Sequence, residues 1–161
     1  MKNLNVSIGR IGLLYGLITC ISLIIYFMIM RTFNLTASGI AWGMNFVFLF
    51  IGILLALKDY RSKTELNVPY LEGMLLGMTT TSISVASFSF FIWIYFTSAD
   101  PNLILTLQDN VLFLGEEITP TRAAGATLIE GVCSGLIISF TIMQYYKAGF
   151  KLPFKEWKIQ R

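Results

Sequence analysis

The sequence predicts an all-α membrane protein in which four transmembrane helices form one bundle. The chain is 55% hydrophobic and only 13% charged, whereas a soluble domain carries about 25% charged residues. About 20 consecutive apolar residues are enough to cross a bilayer, and four such stretches occupy most of the 161 residues. We therefore expect a single transmembrane domain over residues 1–161, with no separate soluble domain.

Short polar segments separate the four predicted spans. A signal peptide is the alternative for the first span, but its apolar region would be about 7–15 residues long and would end in small residues. The apolar run here is longer and continues to Met30. A helix should begin near Pro69, because a proline lacks the N–H that the first helical turn leaves unused. The predicted spans are about 8–30, 39–57, 70–96 and 122–146, with a polar loop from Lys58 to Pro69.

The longest connection, residues 97–121, predicts a short surface helix between the third and fourth spans. Asp100-Pro101 is a favourable helix start and Gly115 a plausible stop. Four apolar residues would share one face of this helix and could lie on the membrane surface: Leu103, Leu107, Val111 and Leu114. A plain loop is the alternative.

A basic and aromatic tail, residues 147–161, follows the fourth span. This composition suits contact with anionic lipid headgroups, so we expect membrane lipids to be partners of the tail. A solvated tail is the alternative. The candidate lipid-contacting residues are Lys147, Lys151, Lys155, Trp157 and Lys158.

The distribution of basic residues predicts the orientation. If the N-terminus lies inside, ten of the 12 lysines and arginines lie in inner segments, and only Arg31 and Arg122 lie outside. Lysine and arginine are enriched in cytoplasmic loops of membrane proteins. We therefore expect both termini in the cytoplasm of a multi-pass protein of the bacterial inner (cytoplasmic) membrane.

Small residues at four-residue spacing occur in every span. Such ridges let helix backbones approach closely, which favours packing where lipid supplies no hydrophobic drive. The pattern predicts a compact bundle, although some ridges could face another subunit. The candidate packing glycines are Gly12, Gly16, Gly39, Gly43, Gly73, Gly77, Gly131 and Gly135.

Glu130 is an acid inside the fourth predicted span, and Asn45 lies at similar depth in the second. A carboxylate at the bilayer centre costs on the order of 3 kcal/mol, so it should face the bundle or water. We expect Glu130 to be protonated, or hydrogen-bonded to Asn45 or to a hydroxyl of the third helix. A proton or cation site and a structural polar clamp between helices are the two interpretations.

Arg10 and Glu72 both lie at the predicted cytoplasmic ends of their helices. They could form an interfacial ion pair across the first and third spans and act as a gate. The alternative is two separate side chains that reach the lipid headgroups.

The third span is rich in hydroxyl groups, beginning with the run Thr79-Thr80-Thr81-Ser82. A hydrated path along this helix is one interpretation. The other is that each hydroxyl donates a hydrogen bond to a carbonyl of its own helix.

The sequence contains no recognisable set of catalytic or metal-binding residues. It has no histidine, which is the commonest general base and metal ligand. Its two cysteines, Cys20 and Cys133, lie alone within apolar helices and resemble small buried hydrophobes. We therefore expect no enzyme activity, cofactor, metal or nucleic acid. The remaining enzymatic possibility is an enzyme that acts on lipid-linked substrates, with a metal held by acids of the 97–121 connection: Asp100, Asp109, Glu116 and Glu117.

The chain resembles the small four-helix inner-membrane proteins of Bacteroidota that are catalogued only as a domain of unknown function. The resemblance rests on residues 12–16 (GLLYG), residues 56–61 (ALKDYR), Gly73 and Gly77, Asp100-Pro101, and the lysine after Tyr145-Tyr146. It covers nearly the whole chain. It implies a membrane location and four helices, and it supplies no activity and no site residues.

Two non-enzymatic functions remain. The first is a non-enzymatic scaffold, anchor or regulatory subunit of a larger envelope complex, since packing ridges, a surface helix and a basic tail all suit contact with a protein partner. The second is a small proton- or cation-coupled carrier that uses Glu130. Because four helices rarely enclose a pathway alone, a carrier would be a homo-oligomer.

Overall fold

Four long helices form the protein. The structure, a computed structural model, describes residues 7–33, 39–64, 69–99 and 119–147, except for the side chains of residues 39–42, 99 and 147. The helices are α1 (Ile8–Thr32), α2 (Gly39–Thr64), α3 (Tyr70–Ile94) and α4 (Pro120–Lys147). Each is long and apolar enough to cross a membrane, and the described ranges contain no strand. The prediction of an all-α protein with four membrane-spanning helices is confirmed.

The helix contacts show that successive helices run in opposite directions. Gly12 of α1 lies against Thr79 of α3, and Gly16 lies against Ile83 one turn further along both helices, so α1 and α3 are parallel. On the other side of α3, Gly77 meets Ser139 and Gly135 meets Thr81. These two contacts run in opposite orders along α3 and α4, so the pair is antiparallel. Gly73 lies near Leu57 of α2 and Gly77 near Ile53, so α2 is antiparallel to α3 as well.

The chain therefore crosses the bundle up and down four times. α3 is the central element, with α1 and α4 packed closely against it, while α2 contacts all three other helices. One end of the bundle holds the ends of α1 and α3 and the starts of α2 and α4. We call this the outer end, and the opposite one the cytoplasmic end, after the predicted orientation.

All four helices differ in extent from the predicted spans, and α1 ends at Thr32 rather than Met30. The polar stretch after Leu57 was expected to be a loop, but α2 continues through it to Thr64. Lys63 Nζ lies 2.7 Å from Asp59 Oδ2 one turn earlier, and such a pair supports a helix beyond the hydrocarbon. The last predicted turn of α3 is a π-helical turn, Tyr95–Ala99. α4 begins at Pro120 rather than Arg122.

Two clusters of buried side chains hold the helices together. The larger occupies the cytoplasmic half and draws on all four helices. The smaller lies nearer the outer end, where Phe27 of α1 meets Tyr95 and Phe91 edge-to-face, with ring centroids 5.1 Å and 6.0 Å away. Edge-to-face pairs of this kind contribute stabilisation in addition to that from the apolar area they bury. Phe96, in the π-helical turn, is almost completely buried in this cluster.

Six of the predicted packing glycines lie where another helix approaches. At Gly16, an added Cβ would lie 2.9 Å from the Ile83 side chain and 3.1 Å from the Thr80 carbonyl oxygen. No side chain fits there without movement of α3. The glycines in such contacts are Gly12, Gly16, Gly73, Gly77, Gly131 and Gly135.

The glycine prediction for α2 differs from the structure. An added Cβ at Gly43 would meet nothing within 4 Å, so no described helix approaches closely there. The surroundings of Gly39 lie outside the described side chains. The close approach on α2 occurs at Gly52, which lies against Thr19 of α1. Its four-residue spacing from Ala56, which is fully buried, is the signal that would have identified it.

Candidate functional site: an acidic cleft between α2 and α4

Glu130 lies beside the packing ridge of α4. The ridge residues Thr127, Gly131, Gly135 and Ser139 are buried, with Gly131 against Val85 of α3. Glu130 precedes Gly131 and is therefore rotated out of the contact with α3, so that its side chain is exposed. It comes ten residues after Pro120, about 15 Å along the helix axis. An acid is thus placed on the surface of the bundle, well within the apolar part of α4.

Asn45 and Glu130 line one cleft, as their similar depth in the sequence indicates. Asn45 is half-buried and lies one turn before Leu49, which belongs to the buried face of α2. The cleft has a volume of about 340 Å³, including open space at its mouth. All four helices contribute to its lining: Leu23, Asn45, Phe46, Leu49, Val85, Phe88, Thr127, Glu130, Gly131 and Ser134.

The polar atoms of the cleft do not bond to one another. Among the described residues, Glu130 forms no hydrogen bond with Asn45 or with a hydroxyl of α3, contrary to one of the predicted arrangements. The Thr127 hydroxyl donates to the Ala123 carbonyl oxygen at 3.0 Å. Its proton is therefore used within α4, and its oxygen remains available only as an acceptor.

A family model described as "Protein of unknown function (DUF4199)" matches residues 10–148. The chain belongs to this family. The matched region contains all four helices apart from the first two residues of α1, and both acids discussed here, Glu72 and Glu130. No curated protein and no solved structure matches the chain.

In this DUF4199 chain, the hydroxyls of α3 bond mainly to their own helix. Thr79, Thr80 and Thr81 each donate to the carbonyl oxygen four residues earlier, at 2.8 Å. Ser89 is different, because its hydroxyl donates at 2.7 Å to the Ala124 carbonyl oxygen of α4. The three threonines of the hydroxyl run are thus satisfied within α3, and Ser89 joins two helices.

The predicted ion pair between Arg10 and Glu72 does not form among the described residues. Glu72 Oε2 instead accepts a hydrogen bond from the Tyr60 hydroxyl of α2 at 2.9 Å, and Arg10 is exposed. Tyr60 is only 5% exposed and belongs to the buried face of α2. Its hydroxyl therefore reaches Glu72 from within the core, whereas Arg10 would have to approach from the surface.

Sequence reasoning missed Tyr60 as a polar contact. Its position in the sequence could have identified it. Tyr60 lies in the apolar stripe of α2, one turn beyond Ala56 and close to where a membrane helix would leave the hydrocarbon. A tyrosine buried there requires a partner for its hydroxyl. Next to it, the Arg61 guanidinium lies 5.2 Å from the centre of the Tyr146 ring of α4, which joins α2 to α4 by a cation–π contact.

Two further predicted sites lie outside the described residues. They are the connection with the surface helix and its acids (Asp100, Asp109, Glu116 and Glu117), and the lipid-contacting tail (Lys151, Lys155, Trp157 and Lys158), together with the side chain of Lys147. Among the residues that the structure does describe, no group of three or more metal-binding side chains occurs.

Proposed function

We propose that this DUF4199 protein is a non-enzymatic subunit of a larger envelope complex, which serves as its scaffold, anchor or regulator in the inner membrane. It binds a protein partner through the face that contains the cleft between α2 and α4. Both termini lie in the cytoplasm, in keeping with the distribution of lysine and arginine.

The exposed carboxyl group of Glu130 carries this proposal. An ionisable group facing hydrocarbon is costly, and acids within membrane helices therefore face a partner or water. Glu130 is exposed on the isolated bundle and hydrogen-bonds to none of the described residues. A second protein that covers the cleft would remove the carboxyl from lipid and supply the missing partner.

The apolar surface near Glu130 does not carry the proposal. Ile129 and Ile137 are 65% and 62% exposed, but lipid-facing isoleucines are normal on a membrane helix. The acid is the exception to the pattern, since the other charged residues of the described helices lie towards the helix ends. For this reason we place the interface at the cleft rather than on the whole surface of α4.

A small carrier is the second candidate, because Asn45 and Glu130 share one cleft inside the predicted membrane region. Such a carrier would work as a homo-oligomer, in which a second copy completes the pathway. Its hydrated path would not follow the hydroxyl run of α3, since Thr79–Thr81 donate their protons to their own helix. Proton-coupled uptake into proteoliposomes that disappears in Glu130→Gln would support the carrier.

Purification of the tagged protein in native nanodiscs, followed by mass spectrometry, tests the subunit proposal. We expect one foreign membrane protein in a fixed ratio to this chain. A complex that contains only this chain, at any copy number, would contradict the proposal and leave the carrier as the better account.

A further inference from the structure

We propose that the cleft binds a lysine side chain that projects from a membrane helix of the partner, with its ammonium group against Glu130. This inference rests on the proposed function and specifies the chemistry of the partner. Four features of the cleft lead to it: its acceptors, its walls, its opening and the positions of the basic residues in this chain.

The acid of the cleft offers only acceptors. The carboxylate of Glu130 carries acceptor oxygens alone when ionised, and the Thr127 hydroxyl has already used its proton on Ala123. The amide of Asn45 adds one acceptor oxygen and two N–H donors, and the Ser134 hydroxyl adds one of each. A lysine ammonium carries three donors, no acceptor and the charge opposite to that of Glu130, so it pairs with the acceptors around the acid. Glu130 and Thr127 lie on α4 and Asn45 lies on α2, and a compact ammonium can serve acceptors on two helices.

The enclosed part of the cleft matches the end of a lysine side chain. Leu49, Val85 and Phe88 are buried apolar residues that line it. Only about 20 Å³ is accessible to a water-sized group, which is room for about one such group. An ammonium group is of this size and can enter, while the stem of the lysine packs at the mouth beside Phe46, which is 44% exposed.

The cleft opens sideways into the membrane. Phe46 of α2 and Glu130 of α4 both line it and are both exposed. Glu130 also lies about 15 Å along α4 from its first residue. A side chain on a neighbouring membrane helix approaches from this direction, whereas a solute would have to enter from water at the helix ends.

The described helices of a second copy do not supply the cation at this depth. Within the described helices, the basic residues lie near the ends: Arg10, Arg31, Lys58, Arg61, Lys63, Arg122 and Lys147. None is near the middle of a span, where Glu130 of a neighbouring copy would be found. The complementary charge therefore belongs to a different protein.

The test uses the full-length protein in nanodiscs and a synthetic helix. The probe is a leucine–alanine helix of about 24 residues, long enough to span the bilayer, with one lysine about ten residues from one end to match the depth of Glu130. The control probe has leucine in place of lysine. Energy transfer between a donor on the N-terminus of the protein and an acceptor on the probe reports binding.

We expect the lysine probe to bind wild type on the order of tenfold more tightly than the leucine probe, as for a partly buried ion pair. Glu130→Gln should abolish this difference, and Asn45→Leu should reduce it. Glu130→Lys should bind a probe that carries glutamate instead. Moving the acid to the neighbouring lipid-facing surface, in the double variant Glu130→Gln/Ile137→Glu, should not restore binding, because Ile137 does not line the cleft.

Equal binding of the lysine and leucine probes to wild type would overturn the inference, and this comparison needs no variant. Equal preference for lysine in wild type and Glu130→Gln would overturn it as well. A different experiment tests the proposed function. If wild type purifies from native membranes without a foreign protein, the subunit proposal is wrong, regardless of whether the probe binds. If a foreign chain copurifies equally with Glu130→Gln, the subunit proposal stands and the lysine contact falls.

Discussion

Gly135 sets the distance between α3 and α4, because the side chain opposite it cannot move away. An added Cβ would meet the side chain of Thr81. The Thr81 hydroxyl donates at 2.8 Å to the Gly77 carbonyl oxygen, and a β-branched side chain in a helix has few other rotamers. The packing of this helix pair therefore depends on the absence of a single methyl group.

Gly135→Ala should lower the free energy of unfolding by about 1–3 kcal/mol, the range for overpacking a well-filled interface. Thermal unfolding in mild detergent measures this loss. Gly125→Ala is the matched control on the same helix, since an added Cβ there meets nothing within 4 Å. Equal midpoints for the two variants would show that α3 and α4 are not held at this distance.

Ser89 provides a second test at a single residue. Ser89→Ala removes the 2.7 Å hydrogen bond to the Ala124 carbonyl oxygen, and interhelical hydrogen bonds in membrane proteins contribute about 0.6 kcal/mol, up to roughly 1.7. We expect a loss of that size in chemical unfolding. Ser22→Ala should have no measurable effect, because Ser22 donates only to Ile18 of its own helix. A larger loss at Ser22 than at Ser89 would contradict the structure.

At the scale of single residues, the sequence identified the important residues more successfully than it identified their contact partners. The spacing of the glycines identified the ridges of α1, α3 and α4, since a four-residue period places residues on one face. It could not exclude Gly43, because spacing does not say whether a neighbouring helix is present. The partner of Glu72 was also misjudged, since it depends on the rotation of α2 relative to α3.

The cytoplasmic half of α2 is an element whose position is fixed by polar contacts with its neighbours. The Tyr60 hydroxyl bonds to Glu72 of α3 at 2.9 Å, and the Arg61 guanidinium lies over Tyr146 of α4. These contacts explain why the helix persists through the polar sequence after Leu57. They also join α2 to both of its neighbours where the bundle reaches its cytoplasmic end.

Tyr60→Phe should cost about 1.5–3 kcal/mol of unfolding free energy, the range for a hydrogen bond to a charged group. The phenylalanine preserves the packing, so the loss reports the hydroxyl alone. Tyr15→Phe is the matched control, because no hydrogen bond of the Tyr15 hydroxyl occurs among the described residues. An unchanged midpoint in Tyr60→Phe would show that the contact with Glu72 does not stabilise the bundle.

Helix number and approximate bounds followed from hydropathy, whereas the helix ends did not. An apolar run of about 20 residues identifies the part of a helix that lies in hydrocarbon. It does not detect helix that continues into water, where an Asp59–Lys63 pair and contacts with neighbours decide the end. The π-helical turn after Ile94 was also beyond prediction, because it accompanies the aromatic packing of Phe96 with α1.

The whole molecule should have both termini in the cytoplasm. Cysteine variants in a Cys133→Ser background test this orientation, since Cys20 is buried. A membrane-impermeant maleimide should label Thr119→Cys in intact cells, and Lys63→Cys only after the cells are opened. The two sites lie at opposite ends of the bundle, so the reverse pattern would invert the topology and place the basic loop outside.

The cleft is a property of the whole bundle, and the sequence could indicate only part of it. Hydropathy identified Glu130 as exceptional, and its depth suggested Asn45 as a neighbour. The contributions of Leu23, Val85 and Phe88 could not be predicted, because they require the rotations of α1 and α3 about their axes. That the acid faces outward rather than into the core depends on the rotation of α4 about its own axis.

Photo-crosslinking in living cells tests most directly whether a partner occupies the cleft. A photoreactive phenylalanine derivative at Phe46, which lines the cleft and is 44% exposed, is compared with the same group at Phe90, which is 62% exposed on α3 and does not line it. We predict one crosslinked product with a foreign membrane protein at Phe46 and none at Phe90. Crosslinks only to a second copy of this chain, or equal products at both positions, would contradict the account.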